Sequence, residues 1–484
     1  MRRLACRFET ATRQQLRHHS GEGKRSSQRG GGNVSPATQQ LLLALDAPNQ
    51  TLGQAELQAI FAHELKTWHD SPRLAMKVLR SLRDAVQPGV AVDLLRVMEA
   101  SRIPVDKHHF SAAISVCEKA GQWKLAVDLL TEMFKQRVAA DTITYSACIS
   151  ACEKVGHWRF ALHLLSDMPK QNVSTDMISY SAGISACEKA GRWQHAVGLL
   201  CDMLQQGIRT DTIVYSASIS ACEKSRQWQQ ALVLQERMLE SSISMDTISY
   251  GACISACEKG NQWQLALSLL YDMRSKSIAR NTTTCSAGIS ACEKGSQWQQ
   301  AVAILADMTQ NAVPTDTIAF NATISACEAS GQWESALGLL SEMAKKQVAV
   351  DVITYNASIS ACEKGSQWQL ALLLLQDMAQ QRVSRNEVTY NAAMLACANG
   401  QRWRSMLRLF DEMVEVHLEP DLFSYAAVLT ECEQRGLWQS EAQLLRRLGA
   451  RLRVAAKGVG VVAVRQRQGR SIAAGARSAR CTIP

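Results

Sequence analysis

Along residues 142–176 the apolar side chains fall into two helical stripes separated by one break. Tyr145, Cys148, Ile149 and Cys152 stand at i, i+3, i+4 and i+7, which is one face of a helix. Gly156 interrupts the stripe as a helix stop would. Trp158, Ala161, Leu162, Leu165 and Met168 then resume it on a second helix, which Pro169 and the polar run after it are expected to end. Two short helices leave apolar faces that neither can cover alone, so such units stack.

The same pattern returns every 35 residues. Trp123, Trp158, Trp193, Trp228, Trp263, Trp298, Trp333, Trp368, Trp403 and Trp438 mark it, in step with Cys117, Cys152, Cys187, Cys222, Cys257, Cys292, Cys327, Cys362, Cys397 and Cys432. A fixed period of this length predicts an all-α solenoid of tandem helix–turn–helix repeats rather than one closed globule. Ile289–Gln299 and Ile359–Gln369 both read ISACEKGSQWQ, so function is expected in what varies between units. The Trp, Cys and Met ladders share the stripe with Leu and Ala and are expected in the core. Truncating one Trp to Ala would then cost roughly 3–5 kcal/mol.

Ten cysteines at one repeat position would lie on successive helices, about 8–10 Å apart, beyond disulfide reach. Buried free thiols are expected. Cys148/Cys152 and Cys253/Cys257 are i,i+4 pairs of metal-ligand type, but no His or Cys cluster accompanies them, so no metal site and no cofactor are expected.

Polar positions also recur. Ser146, Ser150 and Lys154 lie at i, i+4, i+8, beside the apolar stripe. The lysine returns as Lys119, Lys154, Lys189, Lys224, Lys259, Lys294 and Lys364 and is replaced by Ala329, Asn399 and Gln434 elsewhere. Either it is a helix C-terminus favoured by the dipole, or it lines one surface of the stack. An Asp or Asn precedes each first helix, from Asp106 through Asp141 to Asp421, where these residues are preferred N-caps.

Charge changes the picture only at the ends. Of the 53 Lys/Arg, eight lie in residues 1–30 and ten in 446–484; those segments hold two of the 44 Asp/Glu, so the stretch between them is net acidic by seven charges. Any anion-binding role of the array must come from a local stripe. The Arg-rich, weakly amphipathic start, with Leu4, Phe8, Ala11 and Leu16, followed by Ser/Gly-rich 20–35, reads as an organelle presequence or as a disordered basic tail. The Ala/Gly/Arg-rich segment 449–484 is expected to be disordered. No apolar run reaches about 18 residues, so no membrane span is expected.

The string ITYSACISACEK, with Gly in the turn, Ala-Leu then Met in the second helix and a closing Asp, resembles the pentatricopeptide repeat family; VTYN at Val388–Asn391 and EPD at Glu419–Asp421 are close to its pattern. The uniform 35-residue units resemble its P class. Trp opening the second helix and the mostly missing Pro before the closing Asp are departures. The resemblance covers about 107–448. It divides the chain into a basic segment 1–38, a helical cap with a degenerate repeat over 39–106, nine repeats over 107–421, a truncated tenth over 422–448 and a tail over 449–484. It implies a right-handed superhelix that binds single-stranded RNA of organellar transcripts at about one nucleotide per repeat. The implied partner is RNA alone, with no membrane, no small-molecule substrate and a monomeric chain. The implied compartment is mitochondrion or chloroplast.

In that family the fifth and last residues of a repeat read the base. A closing Asp accepts, suiting the imino N–H of G or U; a closing Asn donates and accepts, suiting C or A. A short Ser at the fifth position leaves room for a purine, while Asn reaches a pyrimidine. Ser111/Asp141, Ser146/Asp176, Ser181/Asp211, Ser216/Asp246 and Ser286/Asp316 are each expected to read G. Gly251/Asn281 gives no assignment. Asn321/Asp351 and Asn391/Asp421 are expected to read U, and Asn356/Asn386 C with U second. Met76/Asp106 and Ala426/Ala456 look degenerate. The expected site is 5′-GGGGNGUYU-3′. The implied base-sandwiching residues are Ile143, Ile178, Ile213, Ile248, Thr283, Ile318, Ile353, Val388 and Leu422, and the lysine ladder would meet phosphates. A protein-binding helical scaffold is the alternative, and an enzyme is not expected: Cys-Glu-Lys repeated in equivalent places is architecture, and no HxE…CxxC signature follows the repeats.

Overall fold

A computed structural model describes residues 74–436 together with Phe61, Leu65 and Trp68. The expected segments 1–38 and 449–484, Trp438 and Ala456 lie outside the described residues. Among the described residues, the helices Ala75–Ala85 and Pro88–Ala100 lead into nine helix pairs. The first pair is Lys107–Ala120 with Trp123–Lys135, the last Glu387–Asn399 with Trp403–Glu415, and Leu422–Gln434 closes the series. Among the described residues no strand occurs, and no helix is long and apolar enough to cross a membrane.

The contacts group the chain into two compact units, one ending at Ala221 and the other beginning at Cys222, inside the helix Thr212–Lys224. Within each unit every first helix packs on its own second helix and on the first helix of the next repeat. In the first unit Tyr145, Cys148, Ile149, Cys152, Ala161, Leu165 and Met168 are buried. In the second, Tyr355, Ile359, Cys362, Ala371, Leu375 and Met378 join Tyr390, Met394 and Cys397 of the next repeat in one continuous core.

The ten ladder cysteines are buried free thiols. Burial pushes the nine from Cys117 to Cys397 up, to about 12 at Cys117 and about 11 at Cys152 and Cys362, so they stay protonated and poorly nucleophilic.

The tryptophans correct the sequence reading. Trp123 to Trp403 are all half-buried rather than core. Each opens its second helix at the edge of the stack, where the apolar face runs out. In the second unit the indole lies across the next repeat: a Cβ on Gly260 would come 2.3 Å from Trp228, and one on Gly295 2.5 Å from Trp263. These glycines have ordinary negative φ; the residues after them, Asn261 and Ser296, take the left-handed conformation. Glycine there is demanded by the ring above it. Gly156 does act as the expected stop, with φ 75° and the His157 N–H donating to the Cys152 carbonyl at 3.0 Å. Pro169 does not end its helix, which runs to Lys170.

Candidate nucleic-acid interface

The acid or amide closing each repeat is the N-cap of the following helix. Asp141 Oδ1 accepts the Thr144 N–H at 3.0 Å, Asp246 Oδ1 the Ser249 N–H at 2.8 Å, Asp316 Oδ1 the Ala319 N–H at 2.9 Å and Asp351 Oδ1 the Thr354 N–H at 2.9 Å. Asp106, Asp176, Asp211 and Asp421 cap in the same way. Asn281 and Asn386 use the same oxygen, on Thr284 and Thr389. Capping therefore occupies one atom of each terminal group; the other is an acceptor oxygen on Asp and an amide donor on Asn, and at Asp351 and Asp421 that second oxygen also accepts from Asn321 and Asn391, at 3.3 and 3.4 Å.

The structure brings the fifth residue to this cap where it is Asn. Asn321 Nδ2 donates to Asp351 Oδ1 at 3.1 Å, Asn356 Nδ2 to Asn386 Oδ1 at 3.3 Å, and Asn391 Nδ2 to Asp421 at 3.4 Å. A third group, missed in the sequence reading, completes each site. Thr354 Oγ1 stands 2.6 Å from Asn321 Oδ1 and 2.8 Å from Asp351 Oδ1; Thr389 and Ser424 repeat this on Asn356 and Asn391. The signal was the recurrent Thr or Ser at the third helical position. Ser111 reaches Thr144 Oγ1 at 2.7 Å, and Thr144 reaches Asp141 at 2.7 Å.

The other serines differ. Ser146 and Ser216 donate to the carbonyls of Ile143 and Ile213. Ser181 is half-buried. The buried Ser286 hydroxyl has no hydrogen-bond partner, because the bridging position after Asp316 is Ala319. Gly251 contributes no side chain, and a Cβ there would meet Thr284 Cγ2 at 3.3 Å.

Asp351 and Asp421 are held as carboxylates. Burial raises Asp351, but hydrogen bonds from the Thr354 backbone, the Thr354 hydroxyl and Asn321 outweigh it and hold it below 3.8. Asp421 behaves alike, through Ser424 and Asn391.

Beside these pairs, Ile143, Ile178, Ile213, Ile248, Ile318, Ile353 and Val388 are 56–66% exposed; Thr283 is exposed as well, and in the last helix the equivalent second position is Phe423, 54% exposed, rather than the expected Leu422, which is the first residue of that helix. The lysines lie further along the same helices and meet acceptors of the preceding repeat. Lys189 pairs with Glu153 at 3.0 Å, Lys259 with Glu223 at 2.9 Å, Lys294 with Glu258 at 2.8 Å and Lys364 with Glu328 at 3.3 Å. Lys119 pairs with Asp84, and Lys154 donates to the Glu118 carbonyl. Lys224 is also bonded. These lysine side chains keep about a third to a half of their surface exposed, as at Lys259 and Lys119 (35% and 46%).

The arrangement is that of a tandem helical-repeat protein with polar pairs and aliphatic side chains presented at a fixed place on each first helix. A family model described as pentatricopeptide repeat-containing protein matches residues 73–203 and 114–238. The PPR repeat family model matches 315–364 and 350–399, and the PPR repeat model 248–278 and 388–418. The chain belongs to the pentatricopeptide repeat family. No curated protein sequence matches it. Among solved structures, the pentatricopeptide repeat protein PPR10 in complex with an 18-nucleotide psaJ RNA element is 18% identical, with TM-score 0.47, over 86% of this chain and 63% of that one. The chain thus spans less than two thirds of the length of that protein. A structure of PPR10 from maize is 16% identical, over 82% and 68% of the two chains, with TM-score 0.45. Yeast Rmd9p in complex with a 16-nucleotide target RNA is 10% identical, over 84% and 86%, with TM-score 0.29.

Proposed function

We propose that this chain is a sequence-selective single-stranded RNA-binding protein of organellar transcripts, reading about one nucleotide per repeat and acting by occupancy without catalysis. The observation that carries the proposal is the exposed branched aliphatic residue at the second position of nearly every first helix. Side chains such as Ile143 and Ile353 sit in water although their burial would gain roughly 1.5–3 kcal/mol each. Most stand in a repeat whose capping residue turns a defined donor or acceptor away from the helix N-terminus. An apolar wall next to an edge-reading group suits an unstacked base.

The Ser/Asp pairs favour G, the Asn/Asp pairs U and Asn356/Asn386 C, for a site 5′-GGGGNGUYU-3′. The ladder lysines would exchange their carboxylate partners for phosphates; exposed ion pairs of this kind contribute only about 0–1 kcal/mol each. The inert thiols of the Cys-Glu-Lys triplets support binding rather than chemistry.

The test is an affinity panel with the nine-nucleotide RNA, a poly-A control and a duplex of the same sequence, run in lithium buffer to suppress G-quadruplexes. The expected result is selective, salt-weakened binding of the single strand, with a log–log slope approaching about −0.7 per phosphate contact. Equal affinity for poly-A would instead favour a protein-binding scaffold.

A further inference from the structure

The first three repeats depart from the later ones at the turn between their two helices. Most later repeats flank the tryptophan with neutral amides, as in Gln227-Trp228-Gln229-Gln230 and Gln297-Trp298-Gln299-Gln300; the last pair, with Arg402 and Arg404 against the Trp368 and Trp403 rings, carries cations there but no added His or Phe. The first three carry Lys124 after Trp123, His157 before and Arg159 and Phe160 after Trp158, and Arg192 and His195 around Trp193. The glycine order changes as well. Val155 stands at the place where four later repeats have a glycine that receives the preceding indole, Gly260, Gly295, Gly365 and Gly400.

These changes build a connected surface within the first unit. The Trp123 ring meets His157 at 4.4 Å and Phe160 at 4.7 Å between centroids, and Lys124 Nζ lies 5.9 Å from it. The Trp158 ring meets His195 at 4.8 Å, with the Arg159 and Arg192 guanidinium groups both 5.3 Å away. Phe160 is 45% exposed and Val155 50%. The neighbouring acid Glu153 is already held by Lys189, so the cations of this surface are not neutralised by it.

We propose that this edge of the first unit is a second binding surface for single-stranded RNA, which takes the nucleotides flanking the G-run of the read segment. The proposal rests on the RNA-binding reading above. Half-buried rings bordered by guanidinium and ammonium groups stack bases and meet phosphates together. An acidic peptide would use the cations but leave the rings unexplained. No donor or acceptor is aimed at a base edge here, so the contact is sequence-tolerant. Ser146 and Val155 share one helix and lie about 14 Å apart at 1.5 Å per residue, so RNA leaving the reading row reaches this edge within a short span.

The experiment compares four RNAs on the full chain: the nine-nucleotide site, the site with about six unstructured nucleotides added beyond the G-run, the same extension made abasic, and an equal extension at the opposite end. A variant returns the surface to residues that later repeats carry at the same places: Lys124→Gln, His157→Gln, Arg159→Gln, Phe160→Gln, Arg192→Gln and His195→Gln. Because Gln227, Gln229 and Gln230 occupy these positions in another repeat, folding should persist, and an unchanged melting curve confirms it. The expected result is about tenfold tighter binding from the G-run extension, lost in the variant and on the abasic extension, with the nine-nucleotide affinity unchanged. Binding of the nine-nucleotide RNA without any gain from the extension overturns the inference and leaves the proposed function standing. An equal gain from the abasic or opposite-end extension also overturns it, since charge alone would then suffice. Failure to bind any of the four RNAs removes the proposed function itself and the inference with it.

Discussion

Replacing Asp351 by Asn should turn the nucleotide read by its repeat from U to C. The adjacent repeat supplies the control, because Asn386 occupies the same place with the same cap. Thr354 N–H reaches Asp351 Oδ1 at 2.9 Å, and Thr389 N–H reaches Asn386 Oδ1 at 3.0 Å. Asn321 and Asn356 both donate toward the capping oxygen. The substitution thus keeps the cap, for which Asp and Asn rank about equally, so stability should move by no more than about 0.5 kcal/mol. What changes is the free edge. The carboxylate offers an acceptor to the N3–H of U; the amide offers a donor to N3 of C. One such contact discriminates by about 1–3 kcal/mol, or roughly five- to 150-fold.

The measurement is a four-base panel at that single RNA position, for wild type and Asp351→Asn. Removing a negative charge strengthens binding to every RNA somewhat, so the order of bases is the readout rather than absolute affinity. Asp351 is held below 3.8, so the wild-type order should not change between about pH 5.5 and 8. Its contribution to stability is present above the unfolded carboxylate pKa and is lost as pH falls through the lower folded value. If wild type and variant rank the four bases identically, the closing residue caps the helix and does nothing more.

Ala319→Ser should give the orphaned Ser286 hydroxyl a partner, as Thr144 serves Ser111, and raise stability by about 1 kcal/mol; an unchanged denaturation midpoint would refute the bridging role. Gly295→Ala forces the Trp263 ring aside and should cost about 1–3 kcal/mol by calorimetry or denaturant, although the backbone φ there accepts alanine. Lys259→Ala breaks an exposed pair with Glu223, so stability should change by less than about 1 kcal/mol. Its salt slope for RNA should fall by about 0.7 if the lysine leaves Glu223 for a phosphate. Ser146→Asn should move the second nucleotide from G toward U with helicity unchanged, since Asn321 fills the same position in a later repeat; a four-base panel at that position checks it.

The repeat, its two helices, the buried Cys and Met ladders and the caps were legible because each follows from local periodicity or a local preference. The tryptophans were misread for a definable reason. Periodicity says which face a residue occupies, not how close that face is to the end of the helix. Trp228 lies on the apolar stripe but at the first residue of its helix, and its cover is Gly260 of the next repeat. Likewise, the Glu-Lys pair reads as a local doublet in sequence. In the fold Lys294 reaches back 36 residues to Glu258, a register that only stacking sets. The bridging hydroxyls of Thr354, Thr389 and Ser424 were hidden in the same way, because each serves the repeat before its own.

That last relation bears on why a cap is a good place for a reader. A free Asp offers an acceptor whichever oxygen it turns outward, but a free Asn can offer either its oxygen or its amide, so an uncapped Asn would not discriminate a donor from an acceptor on a base. Binding one oxygen to the backbone N–H at the next helix N-terminus removes that freedom. After capping, Asp351 has only an acceptor left and Asn386 only a donor. The neighbouring hydroxyl and the fifth residue fix the remaining tilt. The interaction that starts the next helix also decides which hydrogen-bonding sense faces outward, so the proposed specificity needs no group that the stack does not already require. It follows that the cap and the reading cannot be removed separately by deletion: Asp351→Ala should lose about 1 kcal/mol of stability and base preference together, whereas Asp351→Asn should keep the first and invert the second.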